Sequence, residues 1–323
     1  MIFESIIVVG LALLIDLKFG DPKNKFHPTA WIGNLIAKLT PLCKNQKDSI
    51  EKINGIILVS IITSVTLSLI ILFELTIYQI SIDWIQIVIF VTLSSLLLKS
   101  TFAIKGMEKY ALSVIDSLKN NDIVNARNNL SKIVKRDTKN LDQNHIISGV
   151  LESISENTVD GITGPLFYYA LFGLPGAFLH RVVNTCDSML GYKTKLFRNL
   201  GWFSAKSDSV LNFIPSRLTG ILMIISAAIL KNNWKKSYEV MFRDAKNTES
   251  LNAGYPMAAL AGALDTRFEK LSHYALGDGD VMLNENHVHS AISIMKLTSF
   301  LFFCIVTIPI ITILNLIGWW LHV

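Results

Sequence analysis

Charged residues are scarce in this sequence: Asp, Glu, Lys and Arg make up 17% of its 323 residues, against roughly 25% in soluble domains. With 51% hydrophobic residues and a mean hydropathy of +0.43, the composition argues against a purely cytosolic enzyme. Cysteine is scarce too. Cys43, Cys186 and Cys304 stand far apart and form no CxxC, so neither a disulfide framework nor a cysteine zinc site is indicated, and a reduced, cytoplasm-facing active surface is compatible with this. No GxxxxGK[ST] is present, which excludes a standard P-loop. No repeat of 20 to 50 residues, low-complexity tract or series of alternating strand-like segments occurs, which excludes a solenoid and a β-barrel. The short run Ile6–Ile15, closed by Asp16 and lacking a basic start or a small-residue cleavage site, does not read as a signal peptide.

What the chain has instead is long uncharged runs. Leu297 to Leu321 is 25 residues without charge, with Trp319 and Trp320 near its end, long enough to span roughly 30 Å of hydrocarbon with an aromatic pair at the interface. Ile53 to Phe73 (21 residues) and Trp84 to Leu98 (15 residues) read as a helical hairpin through Glu74 to Asp83. Ile162 to Leu179 contains Gly164, Pro165, Pro175 and Gly176, and Val210 to Leu230 contains Pro215 and Arg217. One or both of these are expected to be re-entrant or interfacial, because their Pro and Gly residues break a helix and such backbone is tolerated at depth only where protein covers it.

The net charge of +5 and pI near 9.0 are explained by lysines beside the apolar runs, and no nucleic-acid partner is expected. Lys plus Arg number seven in 16–52, none in 74–83, nine in 99–160, five in 180–209 and eight in 231–296. The positive-inside rule then places the basic loops in the cytoplasm and the hairpin tip outside. Residues 99–151, helical in spacing and polar around Lys119–Asp122 and Lys135–Asn144, read as a cytoplasmic helical insertion. The fold expected is all-α, a polytopic integral membrane protein with broken or re-entrant helices, residues 1–323 forming one integrated domain.

Polar residues gather beside the apolar runs. Gly20-Asp21-Pro22 followed by His27-Pro28 is a turn-forming stretch, and Arg136-Asp137-Thr138 a charged turn. Glu152, Glu156 and Asp160, with Asn157 beside them, recur at a spacing of four, which on a continuous α-helix puts three carboxylates within about 80° of arc. Such a row repels itself unless a cation or basic group sits opposite, and a bound Mg²⁺ would supply one. Arg181, Asn184 and Asp187 share a face at spacing three; Asp208, Asn212 and Arg217 flank and enter the next apolar run. An arginine inside an apolar segment usually faces a cavity, an anion or a carboxylate. Arg243-Asp244, Asn252-Ala253-Gly254 and Gly277-Asp278-Gly279 are loops able to offer N–H groups and carboxylates to a phosphate and its metal. The close pair His287 and His289 reads as surface.

Taken together, GDP…HP, RDT, ESISENTVDGITGPLFYYALFGLPGAFLHRVVNTCDSMLGY, GWFSAKSDSVLNFIPSRLT, RDAKNTESLNAGYPMAALAGAL and GDG resemble, in that order, the cobalamin-biosynthesis family CbiB/CobD, adenosylcobinamide-phosphate synthase. The resemblance runs from about Ile15 to Gly279. It departs from the family in being rich in Ile, Lys and Asn where relatives are rich in Ala and Leu, and in a short Leu264–Gly277 stretch. It implies a multi-pass enzyme of the plasma (inner) membrane, active face cytoplasmic, that joins an amino alcohol phosphate (aminopropanol or ethanolamine phosphate) to adenosylcobyric acid through an amide bond. ATP would be cosubstrate, Mg²⁺ the metal, and the corrinoid a substrate, not a cofactor; other corrinoid-assembly membrane enzymes are the expected associates. The catalytic candidates are Glu152, Glu156, Asp160 and Asp187, with Glu156, Asp160 and Asp187 as metal ligands. Those for binding phosphate, carboxylate or corrin amides are Asn157, Arg181, Asn184, Asn212, Arg217, Arg243, Asn252 and Asp278. A transporter, for which broken helices and an intramembrane arginine are also expected, and a non-catalytic membrane sensor of the same superfamily are the alternatives.

Overall fold

The computed structural model describes residues 2–134, 136–192, 194, 196–270, 273–279 and 283–318. The helices in chain order are α1 (Ile2–Phe19), α2 (Pro28–Cys43), α3 (Asp48–Tyr78), α4 (Asp83–Lys99), α5 (Ile104–Lys119), α6 (Ile123–Leu130), α7 (Gln143–Thr158), α8 (Gly164–Leu190), α9 (Trp202–Leu211), α10 (Phe213–Ile229), α11 (Trp234–Asp244), α12 (Gly254–Ala263), α13 (Glu285–Phe302) and α14 (Ile308–Leu316). A small antiparallel hairpin, β1 (Phe268–Lys270) and β2 (Tyr274–Leu276), pairs Phe268 with Leu276; nothing in the sequence pattern signals it. Among the described residues four stretches are long and apolar enough to cross a membrane: Asp48–Tyr78, Asp83–Lys119, Gln143–Leu190 and Glu285–Leu316. The pair Trp202–Leu211 and Phe213–Ile229, bent by 47°, makes a fifth if it is one span. The protein is an all-α, multi-pass membrane protein.

Residues 1–323, read from the sequence as one domain, cluster into two compact units: residues 1–103, 164–211 and 303–323 form one, and residues 104–163 and 212–302 the other. The chain changes unit where α-helix is interrupted. Residues 159–163 and 303–307 are π-helical turns, Asn212 separates α9 from α10, and non-helical residues precede α5.

The first unit carries α1–α4, α8, α9 and α14. Its core includes Val9 of α1, Ile36 of α2, Leu58 and Ile62 of α3, Leu98 of α4 and Tyr169 and Phe178 of α8. On α3 the opposite face is equally apolar, with Ile57, Ile61, Leu69 and Leu72 exposed, as expected of a helix with lipid on one side. The hairpin loop is only 79–82, since α3 runs on past a buried Glu74. Likewise α1 does not end at Asp16: it continues to Phe19 with Asp16 buried, because Lys99 supplies an opposite charge.

Both proline-bearing runs are broken where their chemistry demands. In α8 the helical angles fail at Phe172 and at Gly173 (φ 64°, ψ −152°), a left-handed conformation open to glycine, just before Pro175. Pro215, in the first turn of α10, has no N–H to give the Leu211 carbonyl, and the Tyr168 hydroxyl donates to that carbonyl instead at 3.1 Å.

The second unit holds α5–α7, α10–α13 and the hairpin. Three of its helices, α6, α7 and α11, begin at side-chain caps: Asp122 accepts the Asn125 N–H, Asp142 the His145 N–H and Asn233 the Lys236 N–H, each satisfying an N–H that the first turn leaves open. Ile146, Val150 and Ile154 of α7, Val240 and Met241 of α11 and Ala258–Ala263 of α12 are buried. The segment read as an insertion, 99–151, contributes α5, α6 and the start of α7 to this unit. Trp319, Trp320 and His322 lie outside the described residues.

Candidate active site

The acid row begins as foreseen. Glu152 and Glu156 follow one another along α7, and the basic group opposite is Arg136. Its Nη2 donates to Glu152 Oε1 at 3.0 Å; Ser148 Oγ donates to the same oxygen at 2.8 Å and the Tyr274 hydroxyl to Oε2 at 2.7 Å. Glu152 is buried, and its charge is thus paired and hydrogen-bonded as burial requires. Gly149 makes room for this, since a Cβ there would strike the Arg136 guanidinium. Ser148 Oγ also accepts the Glu269 N–H at 2.9 Å, so α7 is tied to both strands of the hairpin. Burial, then the charge of Glu152 and the hydrogen bond to it, then the charge of Glu156, push the Tyr274 hydroxyl well above its ordinary range, which keeps it a donor. Glu156 itself is exposed, and Asn157 turns back to donate to the Ser153 carbonyl at 2.9 Å.

Asp160 does not continue the row at α-helical spacing. It lies in the π-turn Val159–Thr163, whose wider winding changes the side-chain register and is frequent at functional sites. Its Oδ1 accepts from Asn212 Nδ2 at 3.0 Å. Asn212, buried, stands at the break between α9 and α10, so a widened turn and a helix break face one another across this pair.

One turn into α10, Arg217 is half-buried between two rings, its Cζ 3.5 Å from the Phe213 centroid and 4.3 Å from that of Tyr255. Its Nη1 donates to the Phe213 carbonyl (2.6 Å), Ser216 Oγ (3.3 Å) and Asn252 Oδ1 (3.2 Å). Among the described residues no carboxylate pairs with it. Asn252 is buried in the loop before α12.

Arg243, by contrast, is held by two carboxylates. Nε and Nη2 bond Asp244 in a fork at 2.7 and 2.8 Å, and Nη1 bonds Asp278 at 2.9 Å. The Gly277 N–H donates to Asp244 Oδ2 at 2.8 Å, docking the Gly277-Asp278-Gly279 loop on the end of α11, with both glycines at positive φ. The bonds from Arg243 hold both carboxyls below their usual range, outweighing burial.

The remaining candidates belong to the first unit. Asn184 Nδ2 donates to Asp208 Oδ1 at 3.1 Å, a residue the sequence reading noted only as flanking. Arg181 and Asp187 are half-buried on the same helix, and Gly191 lies so close to Asp187 that a Cβ would meet its carboxylate. Of the proposed metal ligands, Glu156 and Asp160 are in the second unit and Asp187 in the first. Among the described residues no three His, Cys, Asp or Glu side chains gather into a metal-holding group.

Sequence reasoning missed a cluster around Lys99 in the first unit. Lys99, nearly inaccessible, pairs with buried Asp16 at 3.1 Å and with Asp21, which also faces His27 at 3.4 Å. This gives the GDP…HP motif its fixed point. The available signal was a lysine closing the uncharged Trp84–Leu98 run. Tyr274 had none, since a lone tyrosine in a polar stretch carries no periodicity.

A family model for the CobD/Cbib protein matches residues 9–299. The chain belongs to the CobD/CbiB family. It is 40% identical over 300 residues to the probable cobalamin biosynthesis protein CobD of Methanothermobacter thermautotrophicus, covering 93% of this chain and 96% of the relative. It is 38% identical to the cobalamin biosynthesis protein CobD of Clostridium perfringens (91% and 94% covered) and 37% identical to that of Dehalococcoides mccartyi (85% and 87%). No solved structure matches the chain. As a CobD/CbiB protein it is a membrane enzyme of cobalamin (vitamin B12) biosynthesis.

Proposed function

We propose that this CobD/CbiB protein catalyses ATP-dependent amide ligation, joining aminopropanol phosphate or ethanolamine phosphate to adenosylcobyric acid to give adenosylcobinamide phosphate. The observation that carries the reading is Arg217: a half-buried cation in an apolar helix, fixed by two rings and Asn252, with no carboxylate partner among the described residues. Leaving such a charge uncompensated is costly unless an anion completes it, and every substrate of this ligation is a phosphate or a carboxylate.

Forming an amide from a propionate requires a better leaving group than hydroxide. In the proposed route the carboxylate oxygen takes the γ-phosphoryl group of ATP, giving an acyl phosphate and ADP. The neutral amine then attacks the carbonyl carbon; inorganic phosphate leaves with the C–O electron pair, and the amine proton passes to a base. The chain contributes positioning and charge: Arg217 with Asn252 receives one anionic group, and Asn157 and Asn212 orient amides or phosphate. Arg243 turns from Asp278 toward a second anion, and Arg181, Asn184 and Asp187 form the polar set of the first unit. Glu152, saturated by Arg136, Ser148 and Tyr274, positions α7. The donor set suits Mg²⁺ arriving on nucleotide phosphates and held by one or two carboxylates, either Glu156 and Asp160 of the second unit or, separately, Asp187 of the first, where it would neutralise phosphate charge. The basic loops support a cytoplasmic active face at the plasma membrane.

Mass spectrometry of detergent-purified protein with adenosylcobyric acid, Mg²⁺-ATP and each amine phosphate in turn tests this. A corrinoid heavier by one condensed amine, formed only with ATP, is expected. Folded protein that gives no product with either amine overturns the reading in favour of a non-catalytic member of the superfamily.

A further inference from the structure

Helix α11 is amphipathic in an unusual sense. Its protein-facing side, Ser237, Val240, Met241 and Asp244, is buried, whereas its outer side carries Trp234, Tyr238 and Phe242 at 47%, 53% and 62% exposure. Spaced i, i+4, i+8, these rings form one stripe; the Tyr238 and Phe242 centroids are 4.7 Å apart. Three adjacent aromatics on a water-facing helix would sacrifice their burial energy.

Two further observations identify what covers them. First, the stripe continues an apolar face: Ile221, Ile225 and Ile229 of α10, also at i, i+4, i+8, are exposed, and Leu230 follows. The chain then turns at Lys231, in left-handed conformation (φ 59°), and Asn233 caps α11. Trp234 therefore stands where the chain leaves an apolar layer, the position tryptophan favours at a bilayer surface. Phe242 lies eight residues further on, about 12 Å along the axis. Were α11 to point away from the bilayer, that ring would stand in water; lying along the surface, all three rings enter together. Second, among the exposed residues of 231–242 are Lys231 and Lys235, with Glu239 the one acid, the charge sign that complements phospholipid phosphates.

We infer that α11 is an in-plane interfacial helix whose Trp234–Tyr238–Phe242 stripe is seated in the phospholipid headgroup layer of the protein's own bilayer, about 5–10 Å into the boundary. The same helix presents Arg243 and Asp244, which hold the Gly277-Asp278-Gly279 loop, so the membrane surface fixes the element on which that loop is docked. The inference concerns placement in the membrane and stands apart from the ligase reading.

The test uses full-length protein in phospholipid nanodiscs, with an environment-sensitive fluorescent amino acid introduced by codon suppression at Tyr238, Phe242, Glu239 or Lys246, and lipids spin-labelled near the headgroup or deep in the acyl chain. These sites are on the surface, and an unchanged gel-filtration profile checks the fold. Probes at Tyr238 and Phe242 are expected to be quenched several-fold more by the shallow label than probes at Glu239 and Lys246, which respond to a water-soluble quencher. Quenching of the Tyr238 and Phe242 probes by the soluble quencher alone places the stripe in water and overturns the inference. Protection from both lipid and soluble quenchers means that a second copy or another protein covers the stripe, and overturns it equally.

Discussion

Two cations in apolar surroundings, Lys99 and Arg217, are handled in opposite ways. Lys99 closes α4 and meets Asp16 and Asp21, so its charge is neutralised within its own unit. Arg217 sits in the first turns of α10 with rings, carbonyls and Asn252 around it, and no carboxylate among the described residues. Both solutions satisfy hydrogen-bond donors, but only the first cancels charge. In the proposed reading, the cancelled charge of Lys99 serves the fold and the uncancelled one of Arg217 receives an anionic substrate.

The sharpest way to break the comparison is to remove both cations in turn. Lys99→Met leaves Asp16 buried without its counter-ion and is expected to destabilise by about 3–5 kcal/mol, read as a large fall in the thermal midpoint in detergent, with Asp16→Asn in the same protein restoring part of it. Arg217→Met is expected to leave that midpoint nearly unchanged and to lower turnover about 10²-fold, in the mass-spectrometric assay. If the two variants lose stability alike, the contrast fails and Arg217 is a structural residue.

Glu152 lies between these cases, because its charge is cancelled but its partners reach other elements. Glu152→Gln keeps the shape and loses the charge paired with Arg136, so a moderate loss of stability is expected. Turnover should fall no further than the loss of folded protein explains, whereas Glu156→Gln should lower turnover with little effect on the midpoint. The same denaturation and activity measurements separate the two.

A smaller effect is expected from pH. Burial pushes the Asp21 carboxyl up, but the bonds and charges of His27 and Lys99 together outweigh it and hold it below its usual value. A depressed carboxyl stabilises the fold above its unfolded pKa, and that contribution disappears as pH falls through the folded value. The thermal midpoint should therefore drop on the acid side of the ordinary carboxylate range, less steeply in Asp21→Asn. The smallest effect is expected of Asp278→Asn, which removes one exposed charge paired with Arg243 while Asp244 keeps its fork; exposed pairs contribute little. The thermal midpoint should stay within the scatter of repeated measurements, and a larger drop would show that the loop bears on the fold.

Much of the architecture could be read from local pattern. The runs at Ile53–Phe73 and Trp84–Leu98 became α3 and α4, and Pro175 and Pro215 correctly announced the breaks at Gly173 and Asn212. The π-turn that re-aims Asp160 was hidden, because its sequence, VDGIT, has no cap or proline to mark it. Of the site candidates, the pairs Asp160–Asn212, Arg217–Asn252 and Arg243–Asp278 are brought together although no spacing rule links them.

The sequence by itself determined the membrane class, the places where helices must break, and, through the order of its polar motifs, the family. These depend on run length, on proline's missing N–H and on residue identity, all local properties. Only the tertiary structure decided which charges are cancelled. Lys99 finds Asp21 across 78 residues and Tyr274 finds Glu152 across 122. A charge can be buried only where folding delivers its partner, and no local periodicity records that delivery.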